Sequence, residues 1–475
     1  MTNVNDRRHY IDGAWCDSVG TGRIAVIDPS SRMPVGEIAA GDVADAERAI
    51  MAARRAFAGF SQTPVAERIA LLDRIHGLLE QRAEDFAQAM VTEMGVAITF
   101  ARESQVRFAI AHLRVQSELL QDYPFLSVRG TTATAREAIG VCALITPWNW
   151  PLYQITAKVA PALAAGCTVI LKPSELSPLS ALLFAQLMHD AGVPKGVFNM
   201  VNGTGEVVGH TLSTHPDVDM ISITGSTRAG VLVAQAAAPT VKRVVQELGG
   251  KSPNVLLDDA DFDVAVGKGV LAGFRNVGQS CSAPTRMIVP ASRLDEVERL
   301  AAAAVAGIVV GDPRDAATTM GPIANAAQFA RVQAMIAAGI ADGAELVCGG
   351  PGHPAGLESG FFVRPTVFSR VSTSMRIAQE EIFGPVLSII PYDDDEHAVA
   401  IANDTLYGLG SHVQSADPVR ARRFAARIRA GQVHINYPAW DGHAAFGGYK
   451  RSGNGREYGV HGLEEFLETK SIVGY

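Results

Sequence analysis

Residues 141–173 read VCALITPWNWPLYQITAKVAPALAAGCTVILKP. Two short aliphatic and β-branched runs, VCALITP and CTVILKP, flank the helical run ITAKVAPALAAG. A strand, a helix and a second strand joined by short loops predict a βαβ unit with parallel strands. The series continues with the helical SPLSALLFAQLMHDAG and the strands VFNMVN, VDMISITG and KRVVQEL. It resumes from about 252 to 450, where NVLLDD, TRMIVP, AELVCGG, SIIPY and GQVHIN read as strands. The fold class expected is α/β, with two successive doubly wound parallel sheets. Upstream, residues 42–120 space Ala, Ile, Leu and Phe at helical intervals. Residues 123–140 are Thr-rich and alternate, as extended strands do. The last residues, LETKSIVGY, form a terminal strand whose open edge invites a partner.

Length and composition limit the function. The chain has 475 residues, enough for about three domain-sized units. Hydrophobic residues are 48% and charged residues 19%, which excludes global disorder. A net charge of −8 argues against nucleic acid, whose phosphates need a basic face. Five scattered cysteines with no CxxC pair argue against a disulfide framework or zinc ribbon and for a reduced protein. No HExxH occurs and the twelve histidines lack ligand spacing, so no metal is expected. The first residues, MTNVNDRRHYIDGAW, carry no apolar signal core. The longest apolar stretch, Val159 to Leu171, holds Pro161 and Gly166 and is too short to span a bilayer. The location expected is cytoplasmic, with no membrane partner.

Three glycine-rich loops compete for a phosphate role. Gly203 to Gly209 and Gly225 to Gly230 each follow a strand and open a helix; Gly453 to Gly459 does not follow a strong strand. A helix N-terminus with no Cβ in the way suits a pyrophosphate. None has GxGxxG spacing, so a plain turn competes in each case. Ser226 and Thr227 add hydroxyls to the second. Cys281, in Asn276-Val-Gly-Gln-Ser-Cys281-Ser-Ala-Pro, lies on a loop among small residues. An inert filler competes with a nucleophile there. The preceding helix presents its negative end, so activation must come from a base or from backbone donors. Glu247 ends an apolar strand before Gly249 and Gly250, as a solvated carboxylate or as a general base. Asn149, stiffened by Trp148, Trp150, Pro147 and Pro151, suits an oxyanion donor or an Asx turn. Lys172 ends a parallel strand, where α/β proteins bind ligands.

These residues resemble the aldehyde dehydrogenase superfamily. TPWNWP at 146–151, KPSE at 172–175, GST at 225–227, ELGGKSP at 247–253, GQSC at 278–281, EEIFGPV at 380–386 and FGGYKRSGNGRE at 446–457 occur in the family's order, from HYIDGAW to the terminal strand. The resemblance implies that Cys281 attacks the aldehyde and that the Asn149 amide and the Cys281 backbone N–H hold the oxyanion. It implies that Glu247 activates the water that hydrolyses a thioester, with Lys158 and Glu457 on a proton path. Ile145, Trp148, Lys172, Ser174, Glu175, Gly225, Ser226, Leu248, Glu381 and Phe383 match the cofactor site, which makes the loop at 203 a decoy. It further implies a cofactor domain (1–120 and 139–249), a catalytic domain (250–450) and oligomerisation strands (121–138 and 466–475) of a homodimer or homotetramer.

By the same resemblance, Glu175 favours the ribose hydroxyl of NAD over a 2′-phosphate, with NADP possible. Trp150, Tyr153, Gln154, Ser280, Ser282, Trp440 and Phe446 match the substrate channel. Relatives that take short acid semialdehydes place an arginine where this chain has Ala157. The expectation is a neutral, medium-sized aromatic or aliphatic aldehyde, with water as second substrate. Asp441 beside Trp440 keeps an amino-aldehyde open. A CoA-acylating semialdehyde dehydrogenase is the alternative, opposed by the presence of Glu247. A non-catalytic binding protein is opposed by Cys281, and a cofactor-free hydrolase by the ribose and phosphate motifs.

Overall fold

The structure, a computed structural model, describes residues 8–475; the first seven residues of the N-terminal stretch in which no signal peptide is expected lie outside them. Strand Val141–Ile145 lies inside an eight-stranded sheet. Thr168–Lys172 pairs with it in parallel on one side, Ile145 facing Lys172. Met220–Thr224 pairs in parallel on the other. Phe198–Met200 and Arg243–Glu247 extend the parallel part outward. Chain order therefore reverses between 141–145 and 220–224. Open α/β sheets bind ligands in the crevice at such a reversal, beyond the C-terminal strand ends. Ile145, Lys172, Thr224 and Glu247 all stand at those ends. Gly453–Asn454, Arg8–Ile11 and Ala14–Asp17 widen the sheet as antiparallel strands.

Helix Pro151–Ala165 follows the first strand, with Pro151 in its first turn and left-handed Gly166 (φ 92°) closing it. Every one of its residues is buried, because helix Arg107–Asp122 and helix Val65–Gln81 pack against it. That explains a sequence that is apolar on all faces. Leu152, Ile155, Val159 and Leu163 contribute about 1.5–3 kcal/mol apiece by leaving water. Lys158, enclosed on the same helix, has no such account and needs a polar one.

A seven-stranded sheet holds Pro253–Leu256, Arg286–Pro290, Val386–Tyr392, Thr366–Ser369, Gly410–Gln414 and Gln432–Ile435 in parallel, with Glu345–Cys348 antiparallel at one edge. Residues 248–252 alone carry the chain from the first sheet to the second. Glu247 at the C-terminal end of one sheet is thereby brought to the N-terminal end of the other. Two of these strands go unread in the sequence: TVFS is only four residues, and GSHVQ is mostly polar.

Leu126–Arg129, Thr132–Ala138 and Leu467–Val473 form a separate antiparallel sheet, with Leu467 opposite Ala138. Residues 121–122, expected with these strands, instead finish helix Arg107–Asp122. The helical period of Leu113 and Leu120 runs through them, and Pro124 stops it.

Candidate active site

Cys281 lies on the loop between helix Phe262–Phe274 and strand Arg286–Pro290. Asn276 and Val277 start that loop at φ 55° and 60°. A β-branched residue in the left-handed region is strained, and such strain persists only where surroundings fix it. Here a buried amide network does so. Asn276 Nδ2 donates to the Asn149 carbonyl at 2.9 Å and to the Gln279 carbonyl at 3.2 Å. Gln105 Nε2 donates to Asn276 Oδ1 at 3.1 Å. The Ala324 N–H donates to Gln279 Oε1 at 3.0 Å. Asn149 Nδ2 donates to the Gln279 carbonyl at 2.8 Å, which fixes the amide against the loop that carries the thiol. Its second N–H has no acceptor among the described residues. Trp150 Nε1 donates to Ser280 Oγ at 2.9 Å, one residue before Cys281. Burial pushes the Cys281 thiol well up, with Glu381, Glu247 and Glu457 adding to it and the Ser282 N–H opposing. The resting thiol is therefore neutral.

Glu247 is 1% exposed and neither carboxylate oxygen has a hydrogen-bond partner among the described residues. Gly447, at φ 150°, makes the room: a Cβ there would stand 2.8 Å from Glu247 Oε1. Burial pushes Glu247 well above the usual carboxylate range; the Glu457 carboxylate adds to this, and Lys158 and Arg456 oppose it. Lys158 Nζ pairs with Glu457 and donates to Ser222 Oγ at 3.1 Å. The pair is the polar account of the buried lysine, and breaking it would strand a charge. An unpartnered carboxyl beside a paired one has its acceptor sites open to a water.

The crevice at the strand ends holds the residues expected to meet a cofactor. Lys172 Nζ donates to Glu175 Oε2 at 3.0 Å. Ser174 Oγ accepts the Leu176 N–H. Ser226 caps helix Thr227–Ala237, its Oγ accepting the Ala229 N–H at 3.2 Å. Two details differ from expectation. Thr227 Oγ1 is turned to the Arg451 carbonyl, because its place in the first helical turn points it away from the crevice. The Gly225 N–H is spent on the Glu247 carbonyl, in continuation of the sheet ladder. Ser226 and the helix end it caps remain as the polar groups of that loop. Leu248 is buried, donating its N–H to the Ser452 carbonyl, and packs where a Cβ on Gly230 would be 2.6 Å away. Ile145 closes its strand. Glu381 Oε1 accepts the Gly250 N–H at 3.0 Å, and burial pushes its carboxyl up to about 7. Gly249 lets the Glu381 carboxylate come close, since a Cβ there would meet Oε2 at 2.2 Å and push it aside. Phe383 and Trp148 meet edge to face at 5.4 Å.

On the other side of Cys281 stands an aromatic wall. Trp440 stacks on Phe108 at 4.8 Å, and Phe108 stacks on Trp150 at 6.5 Å. Tyr153 meets Trp150 at 5.4 Å and His112 at 4.7 Å. Phe100, Phe108 and His112 are unread in the sequence; their helical segments look like ordinary amphipathic helix, although Phe108 and His112 share a face four residues apart. Burial lowers His112 to about 3, which keeps its imidazole neutral. Two other expected channel residues are enclosed. Gln154 is buried with Oε1 accepting from Thr224 Oγ1 at 3.2 Å. Phe446 is buried and stacks on Tyr458 at 5.0 Å. Ser280 and Ser282 flank the thiol.

Among the described residues no group of His, Cys, Asp or Glu could hold a metal, and no helix is long and apolar enough to cross a membrane. Comparison with known proteins gives one answer. The model of the aldehyde dehydrogenase family matches residues 15–472. A 3-succinoylsemialdehyde-pyridine dehydrogenase from a Pseudomonas species is 52% identical over 99% of this chain and 98% of its own. Aldehyde dehydrogenase C of Pseudomonas syringae, solved with NAD+ and octanal, is 65% identical with a TM-score of 0.99, over 100% of this chain and 98% of its own. The indole-3-acetaldehyde dehydrogenase of the same species, solved with NAD+ and indole-3-acetate (IAA), is 38% identical with a TM-score of 0.95, over 98% and 96%.

Proposed function

The chain belongs to the aldehyde dehydrogenase family, and we propose that it oxidises a neutral, medium-sized aldehyde to the carboxylic acid by way of a thioester on Cys281. It is an NAD(P)-dependent enzyme of that family. The observation that carries the hydrolytic reading is Glu247, enclosed, without a partner, and close to the buried Lys158–Glu457 pair. A carboxyl with open acceptor sites can take a proton from water.

The crevice fits a dinucleotide. Lys172 and Glu175 offer a donor and an acceptor suited to ribose hydroxyls, and Ser226 with its helix end suits a pyrophosphate. Glu381 and the Trp148–Phe383 pair would hold the other end. NAD when bound supplies the hydride acceptor. The chain's own residues do the rest. Cys281 passes its proton to the Glu247 carboxylate as the sulfur attacks the aldehyde carbon, and Glu247 hands that proton on through the Lys158–Glu457 pair before it acts on water. The free N–H of Asn149 and the Cys281 backbone N–H receive the developing oxyanion, a contribution of about 3–4 kcal/mol in comparable sites. After oxidation Glu247 takes a proton from water, the hydroxide attacks the thioester carbon, and the acid leaves as the sulfur regains its proton. Glu457 and Lys158 hold the proton path behind Glu247. Glu175 favours NAD over NADP, because a 2′-phosphate would face its carboxylate.

The aromatic wall of Trp150, Tyr153, Phe108 and Trp440 suits an uncharged aliphatic or aromatic body. The relatives' printed octanal, indole-3-acetaldehyde and pyridine-bearing semialdehyde fall in that class. Ala157 leaves no anchor for a carboxylate close to the aldehyde. A homodimer or homotetramer in the cytoplasm completes the reading. It is supported by the small sheet, where Leu126, Val128, Ile472 and Val473 are exposed and the outer edge of Leu467–Val473 is unpaired among the described residues. NADH formation with aromatic, aliphatic, amino and acid aldehydes, with and without CoA, tests this. Turnover without CoA that is lost in Cys281→Ala is expected. Strict CoA dependence would assign the thioester to acyl transfer instead.

A further inference from the structure

We propose that Lys251 holds Glu381 as a carboxylate, ready to accept from a cofactor ribose, by keeping the proton that Glu381 would otherwise carry. This rests on the cofactor reading above and deepens it. The Glu381 carboxylate lies along the backbone of Gly249 and Gly250. A Cβ on Gly249 would meet Oε2 at 2.2 Å, and the Gly250 N–H donates to Oε1 at 3.0 Å. Lys251 is the next residue. It is 2% exposed, and its Nζ has no hydrogen-bond partner among the described residues. A buried ammonium with unspent donors is costly unless an opposite charge answers it. Burial and Arg286 bring Lys251 down to about 7, against Glu381 and Glu380, which favour the ammonium. Burial pushes Glu381 up to about 7, against the Gly250 N–H, Lys251 and Arg331, which favour the carboxylate. An acid and an amine that titrate together exchange one proton with no change of net charge: carboxylic acid and amine become carboxylate and ammonium.

The other charged and titratable groups around the pair are spent or cannot take the proton. Arg331 is half-exposed, donates to the Glu381 carbonyl at 2.7 Å and stands 3.9 Å from the Glu380 carboxylate. Glu380 also pairs with Arg376 at 2.9 Å. Arg286 is buried and donates to the Lys251, Ile401 and Ala402 carbonyls at 2.9, 2.8 and 2.9 Å. Tyr407 lines a small cavity with Lys251, Ser252 and Arg286, and burial and Glu381 both raise its hydroxyl, which stays neutral. Burial raises the Cys281 thiol, with Glu381 the foremost charge adding to it, so that group is neutral too. Arginines already carry their protons, and a neutral phenol or thiol is no base for a carboxylic acid. The Lys251 amine is. A ribose hydroxyl that donates to Glu381 favours the carboxylate. The proton then passes to Lys251, and none leaves for solvent.

The test is calorimetry of NAD binding from about pH 6 to about pH 9, in buffers of different ionisation enthalpy, which counts the protons exchanged on binding. Wild type should release close to none at neutral pH. Lys251→Met removes the cation that favours the carboxylate, so Glu381 rises and affinity is lost earlier as pH falls. The acid limb should move up by about one pH unit, which is about tenfold weaker binding at neutral pH, and the protons released should approach about one per NAD. Its affinity should recover towards the alkaline end, which a misfolded variant would not do. Lys251→Arg should hold the limb at or below its wild-type position. Glu381→Gln should flatten the limb, and Lys251→Met should then add nothing to it. Unchanged limb and proton count in Lys251→Met overturn the assignment. So does wild type that releases about half a proton or more per NAD at neutral pH, as a carboxyl titrating alone near that pH would; this count needs no variant and decides even where Lys251→Met fails to fold. If wild type binds no NAD at any pH, the cofactor reading itself fails; binding with the wrong proton count fails Lys251 alone.

Discussion

Glu93 and Glu247 are each 1% exposed, yet the protein treats them in opposite ways. Glu93 accepts from the Leu179 and Ser180 N–H groups and the Ser180 hydroxyl, and so caps the start of helix Leu179–Asp190. Burial raises it to about 7 while those donors pull it back. Glu247 meets no donor among the described residues, and burial together with the Glu457 carboxylate raises it. A buried carboxyl whose acceptor sites are filled by helix N–H groups is part of the scaffold; one that meets no protein donor keeps its lone pairs for proton transfer. The same burial thus separates a helix cap from a base.

The largest effect expected from this contrast is on turnover. Glu247→Gln should lower the steady-state rate by roughly 10²–10⁴-fold, as loss of a general base does. Glu93→Ala should instead cost about 2 kcal/mol of stability, read as a lower midpoint in urea, by uncapping the helix, and should leave the activity of the folded fraction intact. A Glu93 variant that folds normally and loses turnover would break the contrast. A third effect concerns pH. Glu457 raises Glu247, so Glu457→Gln should shift the acid limb of the hydrolytic rate to lower pH; a limb that stays put would remove Glu457 from the base's surroundings. The smallest effect is thermal. Glu247 is raised in the fold, so the folded state loses stability as pH rises from the ordinary carboxylate range through its raised value. Glutamine has nothing to ionise, so Glu247→Gln should melt above wild type at neutral pH, by a margin that widens as pH rises. A lower melting temperature would mean that Glu247 carries a structural role like that of Glu93.

The contrast was only half legible in the sequence. Glu247 could be picked out because its strand, its two glycines and its neighbours form a local pattern. Its enclosure without a partner among the described residues is a three-dimensional fact, and Gly447, two hundred residues away, leaves the room for Oε1. The parallel strands were readable where they are fully buried, as in VCALI and TVILK, because burial on both faces leaves an unbroken apolar run. Strand Arg8–Ile11, the edge strand Ala14–Asp17 and the polar Gly410–Gln414 carry no such run. The residues that match a cofactor site sit in short motifs, which is why a sequence displays them. Phe100, Phe108 and His112 join the aromatic cluster from helical segments whose spacing announces only an amphipathic face.

The central claim is that oxidation and hydrolysis are separate steps, joined by an acyl group on Cys281 and parted by Glu247. The direct measurement is a single-turnover experiment on Glu247→Gln with NAD and octanal, followed by mass spectrometry of the intact protein and of the peptide containing Cys281. The account predicts a burst approaching one NADH per active site, then near arrest, with an octanoyl adduct on Cys281. Continued turnover at the wild-type rate, or a burst with no acyl group on that cysteine, would contradict it.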